Sequence, residues 1–160
     1  MDINERIGIL DRKIRIINDN SSKKKWYFWV KKAFMSIYGF EFQGDNLYIA
    51  RKNLFLSFIE YYLNKFNRKP SQKKQKEIAE IISWNFWQMD GLKFVIPFSC
   101  EKKSKQIDLF DQNKFNFLKC EACHKNNNTN HLGISSKINL WQENLQENIL
   151  EFKKILNKGV

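Results

Sequence analysis

The chain has 160 residues, of which 42% are hydrophobic and 15% aromatic, so it is of single-domain size and can bury a core, which excludes wholesale disorder. A formal charge of +11, from 28 Lys and Arg against 17 Asp and Glu, suits a polyanionic partner, although Lys on a solvated surface produces the same excess. The longest apolar stretch, residues 53–63, falls short of the ~20 residues needed to span a bilayer, and Asp2 and Glu5 stand where a signal peptide would carry basic residues. A soluble, cytoplasmic protein with no membrane partner is expected.

In chain order, Ile7, Leu10, Ile14 and Ile17 recur at helical spacing and predict a first helix. After the polar break 18–25, Trp26, Trp29, Val30 and Phe34 predict a second. The short run SIYGFEF (36–42) reads as a strand ending at Glu41, and QGDN (43–46) as a turn with Asp45 as candidate N-cap. Leu47, Ala50, Leu54, Phe58, Tyr61 and Tyr62 then keep a helical period to about Phe66, and Pro70 lies just past that helix. Ser71 is positioned to cap a shorter helix. IISWNFWQ (81–88) reads as a buried strand running into Asp90-Gly91, and KFVIPF (93–98) as a short strand or irregular chain, since Pro97 restricts it. Residues 100–134 are polar, with one alternating stretch, KFNFLK (114–119), and an Asn patch at 126–128. Trp141, Leu145, Ile149, Phe152 and Ile155 predict a closing helix over 138–156.

Strand, turn, long helix, shorter helix and strand in succession predict a parallel sheet with crossover connections, an α/β fold. In such folds ligands bind beyond the carboxyl ends of the strands, where a carboxylate can accept hydrogen bonds from a ribose diol. Glu41 stands at one such end. Asp90, at the end of the next strand, can accept a hydrogen bond from an exocyclic adenine amine, with Gly91 leaving room for the base. Each acid also reads as an ordinary strand end or turn, because Asp-Gly is above all a turn signal.

Together, SIYGFEFQGDNLYIARKNLF (36–55) and IISWNFWQMDGLKF (81–94) resemble the middle of bacterial adenine-specific DNA methyltransferases of restriction-modification systems, which use S-adenosylmethionine (SAM). The resemblance covers about residues 5–100. It implies a partial Rossmann-like sheet with flanking helices and a polar insert: a methyltransferase segment over 1–99, an insert over 100–134 and a C-terminal helix over 135–160. It also implies that Glu41 binds the ribose of SAM, that Asp90 lies near its adenine, and that Phe42 and Met89 flank the ring. DNA and companion chains of the same system are the implied partners.

The resemblance has two gaps. Gly8 does not replace the family's glycine-rich loop, and the two prolines, Pro70 and Pro97, are far apart, so the Asn-Pro-Pro-aromatic motif that holds a flipped adenine is missing. The expectation is an internal fragment, inactive alone, without catalytic residues of its own.

Cys100, Cys120 and Cys123 are odd in number, which argues against a disulfide framework. Cys120, Cys123 and His131 can form three corners of a tetrahedral zinc site, with Cys100 or His124 as fourth. Incidental thiols in a polar insert are the competing reading. A non-enzymatic nucleic-acid-binding or interaction module, with a zinc-stapled loop, is the alternative to the methyltransferase fragment.

Overall fold

The computed structural model describes residues 2–3, 5–100, 102–103, 117–118, 120–125, 130–141 and 148–156. The chain is a mixed helix and strand protein whose first part is dominated by four helices: α1 (Ile9–Asn20), α2 (Lys23–Met35), α3 (Gly44–Phe66) and α4 (Gln72–Asn85). Their inward residues make one core. Leu10 and Ile14 come from α1, Trp26, Val30 and Phe34 from α2, Phe58, Tyr61 and Tyr62 from α3, and Ile78, Ile81 and Ile82 from α4. Trp26 is fully buried and meets Tyr62 and Phe66 edge-on at 5.8 and 5.4 Å, the arrangement that ring quadrupoles favour. Asn67, in the left-handed conformation at φ 52°, ends α3, and Ser71 precedes α4 in extended conformation.

Between these helices run the two strands of a small parallel sheet, β1 (Gly39–Glu41) and β2 (Phe86–Gln88), joined by the α3–α4 crossover. Their register pairs Gly39 with Phe86 and Glu41 with Gln88, so both strands run out at the same end. Gly39 is required by that pairing: a Cβ there would sit 2.5 Å from the Phe86 ring. Arg51 of α3 fastens the junction by donating from Nε to the Phe86 carbonyl at 3.0 Å and from Nη2 to that of Ser83 at 3.1 Å.

Three expectations are corrected. Residues 81–85 are helical, not strand: Ile78, Ile81, Ile82 and Asn85 are buried at three- and four-residue spacing, so the strand is only 86–88. A short apolar run does not by itself distinguish a buried strand from a buried helix end. Of the predicted closing helix, the described residues are helical only over α6 (Phe152–Leu156). Before it, β5 (Lys137–Asn139) and β6 (Ile149–Glu151) pair antiparallel, because tertiary partners override the helical period. Ile138 is buried, Phe152 stacks against Phe40 at 4.5 Å, and the Trp141 indole donates to Asn85. Asp45 lies in the first turn of α3, and Gln43 is the N-cap. Leu145 and the Asn patch 126–128 lie outside the described residues.

In the polar region β3 (Lys102–Lys103) pairs antiparallel with β4 (Phe117–Leu118), and α5 (Glu121–His124) follows. Among the described residues the parallel sheet has two strands, and the other two sheets are antiparallel pairs.

Candidate metal centre and adjoining cavity

The chain leaves β2 through Met89 and turns at Asp90. The Asp90 amide donates to the Val95 carbonyl at 2.8 Å, and its Oδ1 accepts from the amides of Leu92 and Lys93 at 3.0 and 3.2 Å. Asp90 is thereby held as a turn residue, its other oxygen 3.7 Å from the Lys93 ammonium. Val95 bridges back to Asp90 and onward to Ser135, which draws residues 131–136 alongside. Ser136, fully buried, donates its hydroxyl to the Gln88 carbonyl at 3.3 Å and so ties this segment to the end of β2.

The same pairing sets Cys100 against Gly133. The Ser99 hydroxyl donates to the Ile96 carbonyl at 2.6 Å and accepts from the Ile134 amide at 2.9 Å. A Cβ on Gly133 would fall 2.6 Å from that hydroxyl and 2.9 Å from the Cys100 sulfur, so glycine alone permits the approach. Cys120 starts the single turn of α5, which brings Cys123 back beside it. Val95, Cys100, Cys120 and Ala122 form a second, small core.

Here Cys100, Cys120, Cys123 and His131 converge, their ligand atoms all within 4.8 Å of one another. His131 Nδ1 lies 3.7, 3.7 and 3.3 Å from the sulfurs of Cys100, Cys120 and Cys123. A tetrahedral zinc with Zn–S of about 2.3 Å and Zn–N of about 2.0 Å has S···N edges of about 3.5 Å, so the four groups fit the ion. Nδ1 as ligand leaves the proton on Nε2, a buried atom with no hydrogen-bond partner among the described residues. The Leu132 amide donates to the Cys120 sulfur at 3.4 Å and, as the leading cause, holds that thiol's pKa below the ordinary thiol range, while burial pushes the Cys100 thiol up. A bound divalent cation would hold both as thiolates. The cluster can hold a metal ion, and it answers the question of the fourth ligand: Cys100 joins the group, and His124 does not.

Against this cluster lies a cavity of about 420 Å³, bordered by Phe42, Asp90, Lys93, Phe98, Cys120 and Cys123, among others. It opens at the end of the parallel pair. Phe42 and Phe98 meet edge-on at 5.7 Å at its border. Phe98 is 80% exposed and carries a positive φ of 63°, a conformation unfavourable for a non-glycine residue.

Of the four residues assigned to SAM, Phe42 and Asp90 reach this cavity. Met89 is only 5% exposed and does not border it, so it is no second face for a ring there. Glu41 sits at the end of β1, accepts a hydrogen bond from the Gln43 amide at 3.1 Å, and is likewise not part of the cavity wall. Phe98, Ser99 and Gly133 were not singled out by sequence. Only the Gly133 position, two residues after His131, carried a signal of close backbone approach.

Compared with known proteins, the chain matches no family model, no curated protein and no solved structure. No described helix is long and apolar enough to cross a membrane.

Proposed function

We propose that the chain is part of a SAM-dependent DNA adenine-N6 methyltransferase of a restriction-modification system, contributing the adenosine side of the cofactor site, and that its Cys3His cluster holds a structural zinc ion. The observation that carries this reading is the cavity itself: Asp90 and Phe42 border it at the end of a parallel strand pair, and Cys100, Cys120 and Cys123 line it as well. Ligands of α/β sheets bind at such strand ends. A fixed Asp90 carboxylate can still accept from an adenine amine, and Glu41, at the paired strand end beside Phe42 but outside the cavity wall, would meet a ribose that extends past that wall. Zinc, with four protein ligands and no open position, would shape the wall rather than do chemistry. The partial Rossmann-like sheet belongs to this reading, as does DNA as partner. The chain contains no Asn-Pro-Pro-aromatic motif, so in this reading the target adenine is held by residues supplied from elsewhere, a companion chain of the same system being the candidate.

Calorimetric titration of SAM into the zinc-loaded chain tests it. One-site binding that weakens at least ~10-fold in both Glu41→Ala and Asp90→Ala supports the cofactor site, as expected when a charged hydrogen bond of ~1.5–3 kcal/mol is removed. A folded, zinc-loaded chain that does not bind SAM overturns it.

The convergence of all four Cys and His ligands favours a second reading, a non-enzymatic interaction module stapled by zinc. Stoichiometric zinc and salt-dependent DNA binding without any response to SAM would select it.

A further inference from the structure

On the opposite side of α2 from its core residues lies a face that neither the metal cluster nor the cavity uses. Trp26, Val30, Ala33 and Phe34 point inward. Lys24, Lys25, Phe28, Trp29 and Lys32 follow one another at helical spacing on the other side. Phe28 and Trp29 are 52% and 48% exposed, stand at 5.2 Å in an edge-to-face pair, and Lys32 places its ammonium 5.8 Å from the Phe28 ring centre. Helix 23–35 contains five lysines and no acidic residue, and Lys31 is turned to Glu77 on α4. Two adjacent large aromatics left in water among lysines are the composition of a surface that stacks bases while neutralising phosphates.

We propose that this face of α2 binds single-stranded nucleic acid, with Phe28 and Trp29 as the stacking platform and Lys24, Lys25 and Lys32 along the backbone path. The charge complements a polyanion, and the aromatic pair selects the strand state, because a base must leave its duplex stack to lie on an indole. This site is separate from the SAM cavity and does not rest on it.

The test is fluorescence anisotropy of a labelled fifteen-residue oligothymidylate with the full, zinc-loaded chain, without SAM, at several salt concentrations. The expected result is binding that weakens steeply with salt, quenches tryptophan emission, and is weaker for a duplex of equal length. The Phe28→Ala/Trp29→Ala double variant should lose ~10-fold or more in affinity while keeping its circular dichroism. Lys24→Ala/Lys25→Ala should reduce both affinity and the salt slope, by about 1.4 in the slope for two single-strand phosphate contacts. Arg68→Ala/Lys69→Ala, which removes the same charge from the exposed turn after α3, should change affinity by less than ~2-fold. Absence of binding at low salt, equal binding by the aromatic double variant, equal loss in the turn control, or tighter binding of the duplex would each overturn the proposal.

Discussion

At the scale of single residues, the chemistry of the candidate centre depends on which side chains converge. Substituting Cys100 or Cys123 by Ser, or His131 by Ala, should lower zinc affinity more than ~100-fold, beyond the 10–100-fold typical of outer partners alone. His124→Ala, although next to Cys123, should leave it within ~3-fold, and competition with a chromophoric chelator reads both. Equal loss in His124→Ala would show that the ligand set is different. Gly133→Val should behave like a ligand deletion, since its Cβ would meet Ser99 Oγ and the Cys100 sulfur. The Cys-x-x-Cys pair and His131 were legible as candidate ligands because their spacing is local. Cys100 was left equal to His124, because only the Val95–Ser135 pairing decides that a cysteine twenty residues upstream arrives and an adjacent histidine does not.

At the scale of elements, the helices were readable wherever a long apolar period stood on one face, as in α3, and failed where the run was short. The stretch 81–88 holds both a helix end and a strand, and Asn85 marks the change. It is fully buried, donates to the carbonyls of Phe34 and Ile37, both at 2.9 Å, and accepts from Trp141 Nε1 at 2.6 Å. Asn85→Ala should destabilise the chain by about 3 kcal/mol, from three lost hydrogen bonds and an unpaired indole, which a urea melt would resolve. A change under ~1 kcal/mol would mean that those groups find water. The seam of α2 and α4 adds a pH dependence. Glu77 accepts from the Tyr27 hydroxyl at 2.8 Å and from Lys31 at 3.2 Å, and the hydroxyl, then the lysine, hold its carboxyl below the usual carboxylate range. Its contribution is therefore complete above the ordinary carboxylate pKa and is lost as pH falls through the lowered folded value. In Glu77→Gln, thermal melts should show a shallower loss of stability on the acid side. An acid limb parallel to the wild type would exclude that role.

At the scale of the whole molecule, two cores divide the work. The helical core packs α1 to α4, and the small core around Val95, Cys100 and Cys120 closes the polar region over the strand ends. Among the described residues the second holds few apolar side chains, and a bound metal would add to its stability, structural zinc sites being worth ~10–16 kcal/mol in peptides. The order of the β and α elements was visible in the sequence, whereas the C-terminal hairpin was not, because its strands are three residues long and depend on partners in β1 and α4. Metal content of the purified chain, together with the visible spectrum of its cobalt-substituted form, tests directly whether the Cys3His cluster holds a structural ion. One zinc per chain, a tetrahedral cobalt-thiolate spectrum, and loss of both in Cys100→Ser are expected. A folded wild-type chain that takes up neither ion would contradict that assignment.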